Sequence, residues 1–240
     1  MKVLGILLCC LGAAIILLLL VSAIAAALVD PEKPCSESRF YRCLFQTWID
    51  LAIPVMRIKL DISGLELLSK DTPILYVGNH RSNFDPILAW YVLKDRPLGF
   101  VSKEGNFHIP IMGRLIRRCS CLSIDRSDPR KAIGSIYQAA DILKSGISMG
   151  VYPEGTRSKD GTLLPFHTGV FKIAKRAGAP IAVIALDGSE KIHKNYPFHR
   201  SYVRFRVAAV LDAETVAHAN DREIGAKVEK ILRSALPEMK

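Results

Sequence analysis

The chain has 240 residues, half of them hydrophobic, and its 33 Lys and Arg outnumber 23 Asp and Glu for a formal charge of +10. That length suits one α/β domain plus a short extra element, and the apolar excess sits in the first thirty positions, which excludes a polytopic membrane protein. The positive balance calls for an anionic partner; with no zinc-finger, helix-turn-helix or RNA-binding aromatic signature, nucleic acid is not expected and acidic lipid or a phosphorylated substrate is.

Residues 3–29 are an almost unbroken apolar run, interrupted by Gly5, Gly12 and Ser22. A helix needs roughly 20 such residues to cross the hydrocarbon core. Lys2 in front and Ala25-Ala26-Ala27 behind resemble a signal peptide, but the run exceeds the roughly 7–15 residues of a signal core and is read as an anchor. Lys33, Arg39, Arg42, Arg57 and Lys59 follow the run while only Lys2 precedes it, so the positive-inside rule places the remaining chain on the cytoplasmic face. Residues 44–54 mix Leu, Phe, Trp and Ile with Gln46, Thr47 and Asp50. They are too short to span and read either as an interfacial helix with Trp48 near the headgroups or as an amphipathic packing helix. The predicted division is an anchor at 1–30, an interfacial junction at 31–55 and a catalytic domain at 56–240.

Beyond the junction, residues 56–63 alternate apolar and polar with the period of a half-buried strand. Residues 73–78 read as a central strand, and Asp85-Pro86 supplies an N-cap and a first-turn proline for a helix toward Lys94. Short strands are predicted at 98–102 and 121–124. Asp128-Pro129 repeats the cap-plus-proline device for a helix ended by Gly146. A strand at 147–152, a helix at 167–176, strands at 180–186 and 202–210 and a helix at 221–236 complete the series. This alternation predicts a single α/β domain with a mixed, mostly parallel sheet flanked by helices. The six cysteines (Cys9, Cys10, Cys35, Cys43, Cys119 and Cys121) match no metal-ligand spacing, and in a reducing compartment they are structural.

Two segments carry chemistry. Gly78-Asn79-His80-Arg81-Ser82-Asn83-Phe84-Asp85 falls between a buried strand and a helix start, where an α/β sheet places its site. Four residues between His80 and Asp85 let the carboxylate reach one imidazole nitrogen and leave the other free to take a proton. No Gly-x-Ser-x-Gly elbow accompanies the pair, so the pattern suggests general-base activation of a substrate hydroxyl, worth about 10²–10⁴-fold. The plainer reading is a loop histidine beside a helix cap. Val151-Tyr152-Pro153-Glu154-Gly155-Thr156-Arg157-Ser158 also follows a predicted strand. It offers a guanidinium fork and hydroxyls suited to phosphate, or else a surface turn with Glu154 and Arg157 as a solvated pair.

Asn-His-Arg-Ser-x-x-Asp followed by Tyr-Pro-Glu-Gly-Thr-Arg-Ser resembles the glycerolipid acyltransferases, specifically the 1-acylglycerol-3-phosphate acyltransferases. Ser102-Lys103-Glu104 through Pro110, Gly113 and Arg114 to Ser123-Ile124-Asp125-Arg126 is similar to that family's second block, and residues 179–184 to its fourth. The resemblance covers roughly residues 55–200; it departs from the pattern at Val183, where a second proline is frequent. It implies that His80 is the base and Asp85 its orienting partner. Glu154, Gly155, Thr156 and Arg157 would hold the glycerol phosphate with Lys103 and Arg126. The acyl donor would be acyl-CoA or acyl-carrier protein as co-substrate, with no metal or other cofactor. The acceptor would be lysophosphatidate at an anionic membrane surface. Phe107, Ile109 and Ile111 are candidates for an acyl groove, or for core packing, the commoner fate of such residues. Rival readings are an acyltransferase using glycerol 3-phosphate or another lysolipid, a lysophospholipid hydrolase in which the same pair activates water, and a non-catalytic lipid-binding module.

Overall fold

The structure, a computed structural model, describes residues 2–125 and 128–236. Its strands are β1 (Ile58–Ser63), β2 (Leu75–Gly78), β3 (Leu98–Lys103), β4 (Leu122–Ile124), β5 (Ser148–Val151), β6 (Ile181–Asp187) and β7 (Ser201–Leu211). Together they form a sheet in the order β1-β7-β6-β2-β5-β3-β4. Each neighbouring pair is parallel except β6 with β7, so the sheet is mixed and mostly parallel, as its sequence pattern predicts. The helices are α1 (Lys2–Ala27), α2 (Arg39–Val55), α3 (Asp85–Val92), α4 (Met112–Arg117), α5 (Pro129–Lys144), α6 (Lys172–Ala177), α7 (Ile192–Asn195), α8 (Ala213–His218) and α9 (Asp221–Ala235).

Two apolar layers enclose the sheet because strand side chains alternate between its faces. On one face Tyr76, Phe100, Ile184 and Phe205 pack with Ile49 and Ile53 of α2 and with Leu88 and Trp90 of α3. On the other, Leu75, Val77, Met149 and Val183 pack with Ile136 and Leu143 of α5, Ile173 of α6 and Val228 and Leu232 of α9. Val183, the one departure from the family pattern, is fully buried and pairs with Val77. The short helices α4, α7 and α8 were not predicted; none exceeds six residues, too few to display a 3.6-residue period.

Capping follows the sequence at one of the two predicted starts and not at the other. Asp128 caps α5, accepting from the backbone N–H groups of Arg130 and Lys131. Asp85 does not cap α3. It is the first helical residue, preceded by Phe84, and its carboxylate turns back to the N–H groups of Arg81 and Ser82. The cap-plus-proline pattern misleads there because the same side chain serves the loop before the helix.

Helix α1 is long and apolar enough to cross a membrane. Its C-terminal part packs against α2 and α4 through Ala25, Leu44 and Leu115. Trp48 donates its indole N–H to Ser22 Oγ at 2.9 Å, and the Tyr41 hydroxyl donates to the Ala25 carbonyl at 2.9 Å. Arg114 closes the helix end by donating to the Val29 carbonyl at 3.0 Å. Helix α2 thus packs on both α1 and the domain. Its start is tied to the sheet by Arg42, which forks onto Glu37 with two 2.6 Å bonds and donates to the Leu98 carbonyl at 2.8 Å.

Aromatic rings connect α2 to the chemistry-bearing loops. Phe45 meets Trp90 edge-on at 4.7 Å, Trp90 meets Phe100 at 4.9 Å, Phe100 lies parallel to Tyr152 at 6.0 Å, and Tyr152 stacks on His80 at 4.4 Å. Gly150 leaves the space for Phe100: a Cβ there would lie 2.2 Å from its ring. Phe100 is held between two other rings and cannot swing away freely. Gly150→Ala should therefore cost about 1–3 kcal/mol, a fall in Tm of roughly 3–10 °C for a chain of this size, read by thermal denaturation in detergent.

Candidate active site

Parallel strands carry their C-terminal ends to one edge of the sheet. In register, Val77 of β2 lies beside Val151 of β5 and Val183 of β6. The loops after these strands therefore emerge side by side: His80 after β2, Glu154 to Ser158 after β5, and Ser189 after β6. Lys103 ends β3, which borders β5 on the far side. The two motifs are thus brought together as parallel pairing requires.

His80 Nδ1 lies 2.8 Å from Asp85 Oδ2. The same oxygen accepts from the N–H groups of Arg81 and Ser82 at 2.7 Å each, and Oδ1 accepts from the Ser189 hydroxyl at 2.5 Å. The Asp85 side chain is wholly buried, whereas that of His80 is 20% exposed. A carboxylate with four donors and no solvent holds the Nδ1–H tautomer of the ring. Among the described residues Nε2 has no hydrogen-bond partner and is left as the acceptor. Tyr152 backs the ring with an interplanar angle of 17°. Burial and the Asp85 charge push its phenol well above the ordinary value, so the hydroxyl stays neutral.

The neighbouring hydroxyls are engaged elsewhere. Ser82 Oγ accepts from the Phe84 N–H and Ser158 Oγ donates to Asp160. Burial pushes the thiol of Cys119 up to about 12 and that of Cys121 well above its ordinary value, which keeps both neutral and unreactive. Among the described residues no serine, threonine or cysteine is hydrogen-bonded to the His80 ring, and no cluster of three His, Cys, Asp or Glu side chains is placed to hold a metal.

The loop after β5 divides its labour. Glu154, read from the sequence as a phosphate-holding residue or as half of a solvated pair with Arg157, is placed differently. It is buried, and its two oxygens accept from the N–H groups of His80 at 2.7 Å and Leu164 at 3.0 Å. Burial raises its carboxyl against the pull of those donors. A buried anion with both oxygens taken attracts no phosphate; it fixes the His80 backbone. The Ser158 N–H completes the clamp by donating to the His80 carbonyl at 2.8 Å. Gly155 turns the chain at φ 71°, and Thr156 and Arg157 follow it into solvent. Lys103 is also exposed, and among the described residues neither it nor Arg157 forms an ion pair. Arg126 lies outside the described residues.

Three further residues were not singled out from the sequence. Asn79 pairs both ways with the backbone of Leu186, donating at 2.8 Å and accepting at 2.8 Å, which ties the end of β2 to β6. Arg81 is consumed by Asp187 at 3.0 Å and the Gly161 carbonyl at 2.8 Å, so it holds loops rather than ligand. Ser189 is a positioning residue for Asp85. The Gly188-Ser189 turn after a predicted strand was its only trace. Of the three acyl-groove candidates, Phe107 takes the core-packing alternative, Ile111 packs with α1 and α2, and Ile109 is exposed on the surface. An apolar cavity of about 240 Å³ lies instead beside Tyr152 and Gly155, walled by Val101, Ile124, Ile136 and Val170.

Removing one of four donors from the buried Asp85 loosens its hold on His80. For any reaction in which His80 takes a proton, Ser189→Ala should lower the rate constant about tenfold, equivalent to about 1.4 kcal/mol, without weakening the binding of the reactant; steady-state kinetics separates the two.

The acyltransferase family model matches residues 59–187 of this chain. The chain is 37% identical over 155 residues to the chloroplast 1-acyl-sn-glycerol-3-phosphate acyltransferase BAT2 of Brassica napus, covering 64% of this chain but 44% of that protein. It is 32% identical over 167 residues to the 1-acyl-sn-glycerol-3-phosphate acyltransferase of Escherichia coli, covering 69% of this chain and 67% of that protein. The chain thus spans less than half of the first of these relatives and two thirds of the second. The crystal structure of the 1-acyl-sn-glycerophosphate acyltransferase of Thermotoga maritima superposes with a TM-score of 0.66 at 22% identity, covering 83% of this chain and 82% of that one, and so shares the fold. With its paired motifs at one sheet edge inside the matched region, the chain belongs to the acyltransferase family.

Proposed function

We propose that the protein transfers a fatty acyl group to the free sn-2 hydroxyl of 1-acylglycerol 3-phosphate, giving phosphatidate. The observation that carries this reading is the His80–Asp85 pair, with Nε2 open at a sheet edge where, among the described residues, no protein nucleophile adjoins it. In a serine hydrolase the imidazole would face a protein hydroxyl. Here the position is left for a hydroxyl that arrives with the substrate. The names of the relatives point to the same acceptor.

The geometry supports one course for the reaction. Nε2 removes the acceptor's proton as its oxygen attacks the thioester carbonyl of acyl-CoA or acyl-carrier protein. Asp85 stabilises the imidazolium that forms. Collapse of the tetrahedral intermediate expels the thiolate, which recovers the proton from Nε2, and the enzyme returns to its starting state without an acyl-enzyme. Arg157 and Lys103, exposed and without ion-pair partners among the described residues, bind the acceptor phosphate. Thr156 and the backbone at Gly155 border the same site, and Arg126 belongs to the same proposal. The cavity beside Tyr152 takes an acyl chain. Helix α1 holds the enzyme at the bilayer where the one-chain acceptor resides, with the catalytic domain on the cytoplasmic face by the positive-inside bias.

His80→Ala should abolish transfer, a loss of at least about 10²-fold, in a protein that retains its thermal unfolding transition. Full turnover in that variant would remove His80 from the role of base. The assay uses labelled acyl-CoA and acyl-carrier protein with lysophosphatidate and glycerol 3-phosphate as alternative acceptors. Release of free fatty acid in place of phosphatidate would favour hydrolysis. Arg157→Ala should raise the KM for lysophosphatidate by about tenfold or more, the scale of a charge-assisted pair, with a smaller change in kcat; an unchanged KM would exclude Arg157 from the phosphate site.

A further inference from the structure

Between Lys191 and Leu211 the chain carries five Lys or Arg residues and no Asp or Glu. This stretch includes the loop from α7 to β7 and the start of β7, where an apolar surface is exposed among the charges: Phe198 is 79% exposed and Tyr196 41% in the loop, and Tyr202 71% in the strand. Exposed aromatic rings set among cations match neither a core nor a plain solvated surface. Among the described residues, no carboxylate lies within ion-pair distance of Lys191, Lys194 or Arg200. Of the nearby acids, Asp187 is already held by Arg81 and Arg204, and Glu190 is half-buried, with one carboxylate oxygen turned inward and no ion pair among the described residues.

Position gives the patch its meaning. β7 runs antiparallel to β6, with Arg204 in register with Asp187, so the start of β7 lies at the same sheet edge as Ser189 and His80. His193 of α7 packs against Phe84 of the His80–Asp85 loop at 5.0 Å. The patch also adjoins the end of α2: Arg57 donates to the Pro197 carbonyl at 3.3 Å, and Ile58 pairs with Ser201. Helix α1 runs antiparallel to α2, since Ser22 meets Trp48 and Ala25 meets Tyr41. At 1.5 Å per residue, about the first dozen residues of α1 extend past the end of α2 on this side. Those residues, Leu4, Ile6, Leu7 and Leu8 among them, are exposed and apolar.

We propose that Lys191, Lys194, Tyr196, Phe198, Arg200 and Tyr202 form a second membrane contact, which seats the active-site edge on the headgroups of anionic phospholipid. Aromatic rings with one polar end partition to the level of the headgroups, and cations there are drawn to acidic lipid. Where α1 alone would tether the domain at one point, two contacts at one edge fix its tilt and present His80 Nε2 to an acceptor that stays in the bilayer. An acidic protein would satisfy the charges but not the aromatic rings or their continuity with α1. The inference rests on the reading of the chain as an enzyme acting at a bilayer.

The test places the full chain in nanodiscs of phosphatidylcholine alone or with phosphatidylglycerol. Phe198→Trp adds a reporter above the baseline of Trp48 and Trp90. Its emission should shift to the blue and be quenched by phospholipid brominated near the headgroup, more strongly with phosphatidylglycerol and less at high salt. Water-like, unquenched emission in both lipids would overturn the proposal. Combining Phe198→Trp with Lys194→Glu and Arg200→Glu should remove that quenching. In anionic nanodiscs the two charge reversals should lower kcat/KM for lysophosphatidate by about thirtyfold or more, the scale of two charges against an acidic leaflet, with either donor. Turnover of a short-chain, water-soluble acceptor should be unchanged. A loss confined to acyl-carrier protein as donor would overturn the proposal in favour of an acidic protein partner. Quenching needs no turnover, so it supports the contact even if phosphatidate synthesis itself fails.

Discussion

A carboxylate buried without solvent is unfavourable unless each of its lone pairs is answered, and at Asp85 that requirement organises the site. Two of its four donors are the backbone N–H groups of Arg81 and Ser82, which bend the loop after β2 around the charge. The third is the Ser189 hydroxyl, brought from the turn after β6, and the fourth is the imidazole. Satisfying one charge therefore fixes a loop, joins it to a neighbouring strand and sets the His80 tautomer. The cost of burial becomes preorganisation of the imidazole.

The same logic recurs once more on the other side of the ring. Glu154, also buried, spends its two oxygens on the N–H of His80 and of Leu164. Asn79 takes up the backbone of Leu186. Thus the backbone around His80 is held from β5 and β6 at once, while Tyr152 supports the ring from behind. Charges that face inward act on the loop, and charges that face outward, such as Arg157 and Lys103, have no ion-pair partner among the described residues. That division between Glu154 and Arg157, three residues apart, is a property of the turn at Gly155 rather than of their chemistry.

The edge that carries His80 is also the edge that meets lipid in the proposed arrangement. Parallel pairing collects the loops after β2, β5 and β6, and the antiparallel return of β7 adds the aromatic and basic loop beside them. Helix α2 begins at the opposite edge, tied through Arg42 to the start of β3, and ends beside the loop at Pro197. The apolar hairpin of α1 and α2 therefore runs along one face of the domain toward the edge that carries His80.

Much of this was readable in the sequence because it depends on local rules. The apolar run of α1, the period-two alternation of β1, the Asp128 cap and the two strand-following motifs are short-range patterns, and they determined the α/β class, the mostly parallel sheet and the His80–Asp85 pair. What a side chain near a motif does is a question of long-range partners, and that only the tertiary structure decided. Asp85 resembles a helix cap but turns back to its own loop; Glu154 resembles a ligand but is used up by backbone. Ser189 is 104 residues from the carboxylate it serves, a separation no local pattern can bridge. Sequence determines which groups can bear charge and where strands and helices begin. Burial, set by which strands become neighbours, decides whether each charge holds the fold or is left to hold a substrate.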